Sequence, residues 1–134
     1  MTIQAKAILI YQEYEPLNIL MERILWSKGF YNVYIIKDIT QFNTIYRAVK
    51  PDVILFEVDS SSNYEKLEKL LKETNSGEVQ RTLIGISGYG NEAIEQKVKG
   101  LGIENFIKKP FNINYFLEQV EEKLKSRLYE KSHL

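Results

Sequence analysis

Short, nearly unbroken apolar runs alternate along this chain with stretches whose apolar residues recur every three or four positions. The clearest run lies within residues 51–60, Pro-Asp-Val-Ile-Leu-Phe-Glu-Val-Asp-Ser. A Pro-Asp turn launches it, and two carboxylates, Glu57 and Asp59, end it ahead of a polar loop at 60–63. Continuous rather than alternating hydrophobicity predicts a parallel strand covered on both faces, and therefore a central one. Glu57 then stands at the carboxyl end of that strand, on the rim where open α/β folds place binding and chemistry.

The same reading divides the rest of the chain. Residues 5–11 form a first strand, and Pro16 lies near the start of a helix with Leu17, Leu20, Met21, Ile24 and Leu25 on one face. Lys28 and Gly29 end that helix. Residues 31–36, β-branched and aromatic, are the second strand. Asp38 or Thr40 caps a second helix carrying Phe42, Ile45, Tyr46 and Val49, and Pro51 closes it. After the central strand, Tyr64, Leu67, Leu70 and Leu71 mark a third helix, followed by a loop at 74–78. Residues 82–86 are the fourth strand, ending in Ser87-Gly88-Tyr89-Gly90. A fourth helix over 91–98 has only Ala93, Ile94 and Val98 as apolar residues, so it is expected to be weakly anchored and mobile. Residues 103–107 give a short fifth strand. Ile113, Phe116, Leu117, Val120, Leu124 and Leu128 trace a long fifth helix.

Five strand–helix units joined by short connections predict a doubly wound, five-stranded parallel sheet in a three-layer α/β/α sandwich. The expected strand order is the flavodoxin-like 2-1-3-4-5, with a crevice between strands 1 and 3. Gln12 and Glu13 would then lie beside Glu57 and Asp59, with Ser87 and Lys109 on the same rim. No linker, repeat or low-complexity segment breaks the pattern, so residues 1–134 are expected to be a single domain.

Composition narrows the function classes. The chain has 134 residues, 44% hydrophobic and 27% charged, which suits a packed globule rather than a disordered segment. Eighteen basic residues balance eighteen acidic ones, giving no electrostatic reason to expect nucleic acid or an anionic membrane as partner. The absence of cysteine excludes disulfides, thiol catalysis and zinc–thiolate sites. The apolar run at 5–11 is too short to span a bilayer and lacks a cleavage site, so the cytoplasm is the expected compartment.

Candidate chemistry concentrates on the rim. No glycine-rich loop follows the first strand, and Gly85, Gly88 and Gly90 match neither a dinucleotide nor a Walker pattern. His133 lies in the C-terminal tail as a solvated side chain, which leaves Ser87 without a histidine for hydrolase chemistry. Trp26 and the nine tyrosines show no strand-borne stacking pattern of the kind that binds RNA. Glu13, Glu57 and Asp59 converge instead, with Lys109 ahead of Pro110-Phe111. Carboxylates with backbone and water oxygens suit magnesium, and a lysine can hold an anionic oxygen beside it. An acidic rim with one lysine ion pair accounts for the same residues without any metal.

These residues carry a resemblance. Over roughly residues 6–128 the chain resembles the receiver domains of bacterial two-component response regulators. The run from Pro51 to Glu57 is similar to the family's third-strand signature except at its last residue. Ile86-Ser87-Gly88 is similar to its hydroxyl segment, Lys109-Pro110-Phe111 to its lysine segment, and Phe106 falls at its switch aromatic. The resemblance implies that Glu57 stands at the phosphoacceptor position, where the family has aspartate. Gln12-Glu13 replaces the acidic pair that holds magnesium, and Ser87 and Lys109 are the switch and anion-contact positions.

The departures fall on the chemistry. One extra methylene moves the attacking oxygen by about 1.5 Å, and a displacement of about 1 Å can cost a hundredfold in rate. Gln12 removes a negative charge from the metal site, leaving Glu13, Glu57 and Asp59 with a weak or vestigial affinity for magnesium and no other cofactor expected. The resemblance thus implies an atypical receiver, a non-enzymatic signalling module working through protein contacts without ordinary aspartyl phosphorylation. A protein partner or a second copy would dock on the face made by the fourth helix, fifth strand and fifth helix, near Phe106. Glu57, reaching further than aspartate, is expected to pair directly with Lys109. The alternative is a working receiver that takes a phosphoryl group from a histidine kinase on Glu57 or Asp59.

Overall fold

The structure, a computed structural model, describes residues 3–74, 76–88 and 90–132. Five parallel strands, β1 (Ile8–Tyr11), β2 (Val33–Ile36), β3 (Val53–Glu57), β4 (Leu83–Gly88) and β5 (Asn105–Lys109), form one sheet in the order β2-β1-β3-β4-β5. Around it lie α1 (Glu15–Ser27), α2 (Phe42–Val49), α3 (Ser61–Glu73), α4 (Ser76–Thr82), α5 (Glu92–Lys99) and α6 (Ile113–Ser132). This is the doubly wound, flavodoxin-like sheet expected from the apolar pattern. No helix among the described residues is long and apolar enough to cross a membrane.

The central strand explains the two-sided core. Val53, Ile54, Leu55 and Phe56 are all fully buried. Side chains alternate along a strand, so Val53 and Leu55 pack with Met21 and Leu25 of α1 and Phe116, Val120 and Leu124 of α6. Ile54 and Phe56 face the other way, onto Phe42 of α2, Leu67 and Leu70 of α3 and Val98 of α5. The Pro-Asp turn also has a visible job. Asp52 donates its backbone N–H to the Ala7 carbonyl (2.8 Å) and accepts the Ala7 N–H on its carboxylate (3.2 Å), locking the start of β3 against the start of β1. Lys50, in the left-handed region at φ 52°, turns the chain out of α2 ahead of Pro51.

Several boundaries differ from expectation for local reasons. Residues 3–5 coil into a 3-10 turn, so β1 begins only at Ile8. Asp38 caps another 3-10 turn (Ile39–Gln41) by accepting the Thr40 N–H, and that turn leads into α2. Leu20 and Ile113, expected on inward faces, are exposed; the buried face of α1 turns through Asn18, Met21, Ile24 and Leu25 instead. Of the loop expected at 74–78, residues 76–78 are helical and residue 75 lies outside the described residues. Here α4 carries one buried apolar residue, Val79, and is tied to α6 by an ion pair between Glu78 and the buried Arg127. β4 continues through Gly88 and β5 through Lys109, so Ser87 and Lys109 lie within strands rather than after them.

The helix expected to be weakly anchored, now α5, has two buried residues, Glu95 and Val98. Val98 is fully buried, and Glu95, 9% exposed, pairs with Lys108 on β5. Tyr89 and His133 lie outside the described residues.

Candidate functional site

The carboxyl ends of β1, β3, β4 and β5 meet at one rim because the sheet is wholly parallel and the order places β3 between β1 and β4. Glu13, Glu57 and Asp59 line one open cleft of about 290 Å³, with Ser60, Ser62, Asn63 and Lys66. The floor beside it is set by α3, whose Ser60 cap accepts the Asn63 N–H (3.1 Å) and donates its hydroxyl to Asn63 Oδ1 (2.8 Å). That cap starts the helix at Ser61 and uses up most of the loop expected there.

The three carboxylates share the cleft but have different partners. Glu13 Oε1 accepts the Tyr11 hydroxyl (2.7 Å) and the Lys66 ammonium (2.9 Å). These two bonds, lysine first, hold the Glu13 carboxyl below its ordinary range. Burial, followed by the bond to Glu13, pushes the Tyr11 phenol up to about 12. The Lys66 ammonium is likewise raised to about 12, chiefly by its bond to Glu13. Neither Lys66 nor Tyr11 was singled out by sequence reasoning. Lys66 lies 53 residues from Glu13, and nothing local in the chain announces the pair.

Glu57 is half-buried and accepts the backbone N–H of Glu13 (3.3 Å). Burial raises its carboxyl above the usual value; the Glu13 N–H and the charge of Lys109 oppose the rise, and the charges of Asp59 and Glu13 add to it. A raised folded-state value means that ionised Glu57 costs stability near neutral pH. That cost fades as pH falls through the folded value and is gone below the unfolded one.

The direct Glu57–Lys109 contact expected from the sequence is not formed. Lys109 pairs with Asp59 Oδ2, and Asp59 Oδ1 accepts the Gly88 N–H (2.7 Å) and the Asn91 side-chain N–H (3.4 Å). The reason is reach. Lys109 lies on β5, two strands from β3, whereas Asp59 has already left β3 and leans over the end of β4. Asn91 was missed as well. Its position just before a helix marks it as a cap, which gave the one sequence signal available.

Gln12 and Ser87 are both fully buried. Gln12 Oε1 accepts the Tyr14 N–H (3.1 Å) and its carbonyl accepts the Asn18 amide (2.7 Å), so the residue fastens the β1–α1 turn. Gln12 Nε2 and the Ser87 hydroxyl have no hydrogen-bond partner among the described residues. Phe106 is partly buried and packs against the core on the Phe42 and Val98 side of the sheet, opposite Gly85 in register, with the Lys99 ammonium 5.6 Å from its ring. Among the described residues no group of three His, Cys, Asp or Glu side chains is placed to hold a metal ion. Glu13 and Asp59 face the cleft as members of ion pairs rather than as open ligands.

No family model and no curated relative matches the chain. Solved structures do. NtrX from Brucella abortus superposes with a TM-score of 0.79 at 17% identity, over 95% of this chain and 28% of that one. A CheY-like response regulator receiver domain protein from Methanospirillum hungatei gives 0.76 at 24% identity, over 93% and 98% of the two chains. The N-terminal signal receiver domain of a two-component response regulator from Bacteroides fragilis gives 0.72 at 18%, over 88% and 95%. This chain therefore spans less than a third of NtrX and nearly the whole of the isolated receiver domains. At these identities the likeness is one of fold.

Proposed function

We propose that this chain is a receiver-type signalling module that acts through protein contacts and does not run an ordinary aspartyl phosphorylation cycle. The carrying observation is the engagement of Lys109 by Asp59. The rim cation that would steady an incoming phosphoryl group already has an anionic partner. The replacements at positions 57 and 12 support the same reading. Glu57 is longer than aspartate, and Gln12 contributes an amide, its oxygen already bonded to the Tyr14 N–H, where a carboxylate would attract a cation.

Magnesium titration by calorimetry tests this. Magnesium demands near-octahedral oxygen ligation and a compact charge set, so the native chain should show weak or undetectable heat at physiological concentration. A tight one-to-one site would overturn the reading.

The rival, phosphoryl acceptance on a rim carboxylate, draws on one observation. Glu57 opens onto the cleft and, unlike Glu13 and Asp59, stands outside the rim's ion pairs. The partner surface proposed is the face of α5, β5 and α6 around Phe106, for a second copy or a different protein. Sedimentation of the native chain beside Glu122→Lys, on the exposed side of α6 near Asn105, separates the two. A concentration-dependent dimer lost in the variant supports self-association, and a monomer throughout leaves the different partner.

A further inference from the structure

Asp59 lies two residues beyond β3, yet its carboxylate gathers donors from three separate segments: Gly88 at the end of β4, Asn91 ahead of α5 and Lys109 at the end of β5. One donor is a backbone N–H, one a carboxamide and one an ammonium, the mixture that proteins use to hold oxyanions. Two details mark the arrangement as more than a surface ion pair. Asn91 occupies the cap position of α5 but makes no side-chain capping bond, although asparagine is among the best caps; its amide is turned to Asp59 instead. Beside Gly88, the Ser87 hydroxyl is fully buried and has no partner among the described residues.

We propose that Gly88, Asn91 and Lys109 form an oxyanion site whose resident ligand is the protein's own Asp59 carboxylate. This internal anion fixes the β4–α5 connection and the end of β5 in one arrangement. The inference deepens the reading of a module that works without phosphorylation and rests on it for its biological meaning. Its physical content is separate: emptying the site should free the donors, and an external oxyanion should refill it.

The test uses the full chain, nuclear magnetic resonance and inorganic phosphate. In Asp59→Ala the Gly88 amide proton should move upfield as it loses a charged acceptor, and the Asn91 side-chain amide should shift with it. Millimolar phosphate should return both toward their native positions. The native protein should not respond, and Asp59→Ala combined with Lys109→Ala should lose the response. Gly88 and Asn91 unmoved in the variant, or a native protein responding to phosphate as strongly, would overturn the proposal. If the alanine variant does not fold, Asp59→Asn keeps the shape and removes the charge. The Lys109 ammonium and Gly88 amide resonances should then both shift, and resonances that stay in place would overturn the proposal. A native chain that gains a phosphoryl group while Asp59→Ala behaves as expected would remove the proposed function and leave the internal ligand standing. The opposite pair of results would remove the internal ligand alone.

Discussion

Leu55→Ala is expected to lower the unfolding free energy by about 2–5 kcal/mol, the range for deleting a buried leucine side chain whose neighbours cannot fully collapse. Leu55 sits in the middle of β3, fully buried, with β1 on one side and β4 on the other. Its side chain enters the core shared with Met21, Leu25, Phe116 and Val120, on two helices that approach from the same face. Neither strand neighbour can move inward without breaking its ladder, so most of the cavity should persist. Urea unfolding of the native and variant chains measures the difference. A change below about 1 kcal/mol would contradict a central position for the strand, because that is the range of edge or surface sites.

The second large effect concerns Phe106. Gly85 and Phe106 are register partners on β4 and β5. A Cβ at position 85 would stand 2.9 Å from Cδ1 and Cε1 of the Phe106 ring and 3.3 Å from Cγ2 of Val58. Gly85→Ala should therefore unseat the ring and cost about 1–3 kcal/mol, as overpacking does. Phe106→Ala should cost less in the Gly85→Ala background than in the native one, because the ring has already lost its seat. Chemical unfolding of the four proteins completes the cycle. Additive losses, with Phe106 ring signals unchanged in Gly85→Ala, would show that the ring does not depend on the space over Gly85.

The fold was legible because it is written in local patterns. Residues 53–56 are apolar on both parities, and only a strand buried on both faces needs that. In α6 the spacing of Phe116, Leu117, Val120 and Leu124 carries the inward stripe, and all four are buried. The short helix α4 was not legible, because Ser-Gly-Glu-Val-Gln-Arg-Thr has one apolar residue and no period to detect. Tertiary ties, Val79 in the core and Glu78 on Arg127, hold it.

The site divides the same way. Strand ends could be located from sequence, so Glu13, Glu57, Ser87 and Lys109 were expected on one rim and are found there. Which carboxylate each cation would choose could not be read. The choice between Glu57 and Asp59 depends on the sideways lean of the chain after β3. That of Glu13 depends on Lys66, contributed by a helix far along the sequence.

The claim that this module does without phosphorylation is tested most directly by intact mass. The native chain is incubated with magnesium and a small phosphoryl donor, then compared with Glu57→Gln, which keeps the side chain's length and removes its nucleophilic carboxylate. No added mass is expected in either protein. A stable gain of about 80 Da in the native chain, the mass of one phosphoryl group, that is absent from Glu57→Gln would contradict the claim and establish Glu57 as an acceptor.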